Sequence, residues 1–145
     1  MDVRGSTGQG KALRRLVALA VSLVAAVGLA VIPTASVLGH GKLAKAEPAP
    51  GAKVTVAPKV LRAWFSLSAG EELDASRSTI SVWNAAGKRV DDGKGGVDLK
   101  DLDRRSMIAR LNPLAPGTYT IKWKAVSDPD GAVSQGSFRF TFAKP

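Results

Sequence analysis

The chain predicts an all-β fold: an immunoglobulin-like antiparallel sandwich of Greek-key type with about seven strands, preceded by an apolar N-terminal helix. Three observations lead there. Apolar and polar residues alternate with period two over several segments after residue 60, turn residues interrupt them about every 8–12 positions, and no long amphipathic helical pattern follows residue 40.

Three segments show the alternation plainly. Leu61, Ala63, Phe65 and Leu67 share one face, with Arg62, Trp64 and Ser66 on the other. Tyr119, Ile121, Trp123 and Ala125 alternate with Thr118, Thr120, Lys122 and Lys124, and Phe138, Phe140 and Phe142 alternate with Ser137, Arg139 and Thr141. Half-buried strands carry this signature, because successive side chains point to opposite faces. Further strands are expected at 42–46, 53–56, 79–84 and 106–111. Between them stand Pro48-Ala49-Pro50-Gly51, Ala86-Gly87-Lys88, Pro116-Gly117 and Asp128-Pro129-Asp130-Gly131, which are turn-forming combinations. Residues 91–105, rich in Asp, Gly and Lys, read as a mobile loop. Residues 70–78 read as a second long connection, with the acids Glu71, Glu72 and Asp74.

The first 39 residues read as a separate unit. Arg4, Lys11, Arg14 and Arg15 precede an uncharged run from Leu16 to Gly39, whose apolar part ends before Pro33. A basic start, an apolar stretch and a small-residue site describe an export signal cut after Gly39, so that His40 would begin the mature chain. A retained membrane anchor facing the periplasm is the alternative, since the apolar run is long enough to span a bilayer. The expected organisation is therefore a signal peptide or anchor over 1–39 and one sandwich domain over 40–145, in the periplasm. Removing residues 1–39 leaves 106 and lowers the formal charge from +9 to +6.

Composition excludes much chemistry. With no cysteine there is no disulfide, thiolate nucleophile or zinc–thiolate site, and a single histidine excludes two-histidine metal sites within one chain. The serines lack a nucleophile-elbow context, and Gly93-Lys94-Gly95-Gly96 does not join a strand to a helix as a phosphate loop must. An enzyme is not expected. The bases are scattered along the chain without a tight cluster, which reads as solvated strand faces and not as a nucleic-acid surface.

Several stretches resemble the CopC-type copper-resistance domain of bacteria. They are His40-Gly41-Lys42-Leu43, Glu47-Pro48-Ala49-Pro50-Gly51-Ala52, Pro58-Lys59 with Arg62 and Phe65-Ser66, and the run from Pro113 to Trp123. Val126-Ser127, Asp130-Gly131, Val133-Ser134 and Gly136-Ser137-Phe138 complete the set. The resemblance implies a periplasmic protein that binds Cu(II) through the amino group and ring of an N-terminal histidine, an Asp and a His of an Asp-Gly-His loop, and in some members a Glu after the Phe-Ser strand. It assigns His40 and Asp130 as metal ligands. Ala132 stands where the loop histidine belongs and Leu67 where the glutamate would be, and Pro129 reads as an insertion in the loop. The methionine-rich segments that some members use for Cu(I) are absent, Met107 being solitary after residue 39.

The chemistry of His40 stands apart from any family. A terminal amine and an imidazole nitrogen close a chelate ring, and both suit Cu(II), which heads the divalent affinity order. Each candidate also has a plainer role. Asp130 in Pro-Asp-Gly is a turn former, and Trp64, Trp83 and Trp123 at strand spacing are cross-strand packing. Glu71, Glu72 and Asp74 form a solvated acidic loop or replace a missing ligand. Two functional expectations stay open: an exported protein that sequesters or transfers Cu(II), and a metal-free adaptor for protein contacts, for example with a membrane copper transporter.

Overall fold

The computed structural model describes residues 41–145. His40 and the expected signal or anchor lie outside the described residues. The described chain forms β1 (Lys42–Glu47), β2 (Lys53–Val54), β3 (Val60–Ser66), β4 (Glu72–Leu73), β5 (Thr79–Asn84), β6 (Gly96–Val97), β7 (Ser106–Arg110), β8 (Gly117–Asp128) and β9 (Val133–Phe142). It is all-β, with no helix among the described residues.

Two sheets enclose the core. One runs β1-β3-β7-β6. The other runs β2-β9-β8-β4, and β5 also pairs with β8. Along that edge of β8, β5 covers Tyr119 to Lys124 and β4 covers Ser127 and Asp128, so two short strands share one long partner. The alternating residues do what their period demands. Leu61, Ala63 and Phe65 from β3 and Tyr119, Ile121, Phe140 and Phe142 from β8 and β9 are each 4% exposed or less and join one cluster. Phe65 meets Trp123 of the opposite sheet edge-on at 5.1 Å, a favourable geometry for two ring quadrupoles. At the start of β8 the Tyr119 hydroxyl donates to the Ala115 carbonyl at 2.5 Å, closing the turn that leads into the strand.

Three expectations are corrected. The sandwich is not wholly antiparallel, because β2 pairs with β9 in parallel, Lys53 beside Thr141 and Val54 beside Phe142. That strand stops at Val54, short of the expected 53–56. Val56 is 79% exposed, and Pro58 biases its neighbour away from continued pairing geometry and offers no donor.

Residues 91–105 are an ordered layer and not a mobile loop. β6 within them pairs with β7, and the Asp91 carboxylate is fully buried, accepting from the Val82 and Gly93 amides at 2.8 and 2.9 Å and from the Arg89 guanidinium at 2.8 Å. Asp98 meets Arg62 at 3.0 Å, and Asp101 accepts from the Ser106 hydroxyl at 2.6 Å. The polar residues that suggested a solvated loop are the partners that fasten it. The connection 70–78 likewise holds β4, whose Leu73 is 1% exposed. The Arg105 guanidinium donates to the Leu67, Ser68 and Glu71 carbonyls and ties these two segments together.

Candidate metal centre

Asp130 lies in the hairpin between β8 and β9. Its Oδ1 accepts from the Ser127 hydroxyl at 2.9 Å and from the Ala132 amide at 3.0 Å, while the Ser127 amide donates to the Ala132 carbonyl and the Gly131 amide to the Ser127 carbonyl, each at 2.9 Å. The turn-forming role anticipated for this aspartate is therefore present. Gly131 takes φ 72°, a left-handed value natural to glycine, and a Cβ there would stand 3.5 Å from the Arg77 guanidinium. Arg77 is itself held by Asp74 at 2.6 Å.

The described chain begins beside that hairpin. Gly41 is buried, and its carbonyl accepts a short hydrogen bond from the hydroxyl of Ser134, the second residue of β9 after the hairpin. A Cβ on Gly41 would meet Ser134 Oγ at 3.2 Å, Ala125 Cβ at 3.3 Å and Leu67 Cδ2 at 3.4 Å, so residue 41 sits in a tight slot. Ala125 pairs with Ser134 in the ladder that ends in the hairpin. The residue adjoining His40 and the hairpin bearing Asp130 are thus at the same end of the sandwich. Ser134 stands in the Val133-Ser134 stretch of the resemblance but was given no role from sequence, because a serine in a strand gives no signal until its partner 93 positions away is known.

Leu67 and Ala132 border this end without a donor side chain. The isobutyl group of Leu67 packs toward Gly41 and the core, and Ala132 contributes only its backbone, through its amide to Asp130 and its carbonyl to Ser127. The nearby acids are occupied by local partners. Glu71 Oε2 accepts from the Ser68 amide at 2.9 Å, and Glu72 pairs with Arg104 at 3.1 Å. Hydrogen bonds from Ser76 and then Arg77 hold the Asp74 carboxyl well below the usual carboxylate range. Among the described residues no three His, Cys, Asp or Glu side chains come together as a metal-binding group. Met107 is wholly buried, so its thioether does not face a metal arriving from solvent. The tryptophans are packing elements: Trp123 lies against Phe65 and fills the space where a Cβ on Gly136 would fall 2.7 Å from its ring, and Trp64 carries Lys45 and Arg62 over its faces.

Comparison with known proteins bears on this end of the molecule. Residues 43–143 match the CopC domain family. Protein YobA of Escherichia coli strain K12 is 31% identical over 116 residues, covering 74% of this chain and 82% of that protein. Among solved structures, CopC from Methylosinus trichosporium OB3b superposes with a TM-score of 0.61 at 27% identity, covering 72% of this chain and 95% of that one. PcoC, a methionine-rich copper resistance protein from Escherichia coli, has a TM-score of 0.58 at 24% identity, over 72% of this chain and 99% of its own, and shares the fold.

Proposed function

This chain belongs to the CopC domain family, and from that premise we propose that it is an exported protein of copper resistance that sequesters or hands over Cu(II) in the periplasm, with His40 as bidentate anchor and Asp130 as auxiliary ligand. The observation that supports this most is the seat of Gly41. Gly41, which follows His40 in sequence, is fastened through its carbonyl to Ser134, close to the hairpin that carries Asp130.

The chemistry follows from the donor types. A free α-amine and the imidazole of the same residue close a chelate around the cupric ion, and a carboxylate adds an anionic oxygen that partly neutralises it. Water completes such a site. With one imidazole and no second histidine, the metal is held less tightly than by a fuller donor set and exchanges more readily, which suits transfer. Both nitrogen donors must lose protons, with ordinary pKa values near ~6.5 and ~8, so affinity falls as pH drops through that range. No substrate turnover is proposed.

A second reading is supported by Leu67 and Ala132, which bring no donor to this end of the molecule. On it, the domain is a metal-free adaptor that makes protein contacts, for example with a membrane copper transporter. Cu(II) titration of the exported protein, with intact mass establishing that it starts at His40, separates the two. The first reading expects His40→Ala to lose about a hundredfold or more in affinity and Asp130→Asn about tenfold, two factors of ten and one in binding. Asparagine keeps the Oδ1 acceptor that the hairpin uses. Equal affinity in all three proteins overturns the ligand assignment, and no binding in any favours the adaptor.

A further inference from the structure

Four of the bases that look scattered along the chain converge on one surface. The outward face of the β2-β9-β8-β5 sheet carries Lys53, Arg139, Lys122 and Lys124, and none of the four has an ion-pair partner among the described residues. On the other sheet the outward Lys45 and Arg62 do have acids, Glu47 at 2.6 Å and Asp98 at 3.0 Å. Between the Thr118 and Lys124 positions of β8, no acid occupies this face among the described residues. Glu72 and Asp128 come only beyond Val126.

Register arranges the cations in single file. Lys124 and Lys122 are alternate residues of β8, Arg139 pairs with Thr120 on the next strand, and Lys53 pairs with Thr141 one strand further. Each step moves two residues along, and the last two also move one strand across, giving intervals of about 7–8 Å. An open groove along this line has Trp83, Thr118, Thr120, Lys122 and Arg139 among its lining residues.

We propose that this diagonal stripe docks an extended acidic segment of a partner protein. Alternate side chains of an extended peptide lie ~6.8 Å apart, which matches the cation spacing, and the threonine hydroxyls offer both donors and acceptors to a peptide backbone. A lipid surface fits less well, since it is planar and rewards inserted apolar groups. Here the aromatic side chain is Trp83, whose indole N–H donates to Ser81 at 2.9 Å and whose ring lies under the Lys122 ammonium at 5.2 Å. That covered ring also offers no stacking platform for nucleic-acid bases. The stripe and its acidic partner stand independently of the copper reading, although the Lys124 end lies one residue from Ala125, against which Gly41 packs.

Fluorescence anisotropy with the intact protein and a short fluorescein-labelled peptide of alternating Asp and Ser tests this. The expected result is binding that weakens with added salt, weakens about fivefold or more in Lys122→Gln/Arg139→Gln, and persists in Lys122→Arg/Arg139→Lys, which keeps both charges. Lys100→Gln, on an exposed loop outside the face, should bind as wild type. No binding, equal loss in Lys100→Gln, or equal binding of a Lys–Ser peptide would overturn the proposal. Tighter binding of phosphatidylglycerol vesicles or of oligo-dT than of the acidic peptide would overturn it as well.

Discussion

Gly41 answers to two constraints at once, a hydrogen bond through its carbonyl and close neighbours that would have to give way by a few tenths of an ångström to a side chain. Ser134→Ala removes the donor and leaves a buried carbonyl without it, a change of about 1–2 kcal/mol in stability by the ordinary cost of such a loss. If the seat positions His40, the same variant also weakens Cu(II) binding several-fold while leaving the ligands in place, which titration and chemical unfolding of one protein sample measure together. Gly41→Val should do more, because its Cβ already meets atoms at 3.2 to 3.4 Å and its two γ-methyls need further space. At this scale the sequence was legible where one residue type has one main use. Asp130 in Asp-Gly announced a turn, and its Oδ1 makes one. Ser134 was not legible, because its role exists only through a contact between distant positions.

The elements most easily misread were those built from polar residues. Residues 91–105 lack apolar alternation, yet Asp91 anchors them by taking amide and guanidinium hydrogen bonds into the interior. Burial alone would raise the Asp91 pKa, but Arg89 and the Val82 and Gly93 amides outweigh it and hold the carboxyl below its ordinary value. A carboxyl lowered on folding stabilises the protein above the unfolded value near ~3.9, and that stability is lost as pH falls through the folded value. Unfolding midpoints should therefore hold from neutrality to about pH 4 and fall below it. Asp91→Asn should cost about 2–3 kcal/mol at neutral pH, since it leaves Arg89 unpaired, and should flatten the acid decline. Gly95 makes the same segment intolerant of a side chain, because a Cβ there would fall 2.1 Å from the Ile80 carbonyl oxygen. Gly95→Ala is expected to destabilise by about 2–4 kcal/mol in urea titration, a large value that reflects displaced backbone. By contrast β3, β8 and β9 were readable in advance, since one buried face imposes strict period two.

Across the whole molecule, the sandwich and its core followed from alternation and turns, whereas the pairing of β2 with β9 and the gathering of cations on one sheet followed from topology that no local pattern encodes. Lys53 and Arg139 are far apart in sequence and one strand apart in space. The molecule that results has an end where Gly41 and the Asp130 hairpin meet and a face lined by cations that have no ion-pair partner among the described residues. The first is the proposed place of the metal, and its chemistry rests on an amine and an imidazole belonging to one terminal residue. Isothermal titration of Cu(II) into the protein beginning at His40, beside a form with one glycine added before His40, tests that claim most directly. The account predicts that the added glycine, which moves the amine away from the ring while altering nothing in residues 41–145, lowers affinity by about tenfold or more. Identical isotherms for the two forms would contradict it.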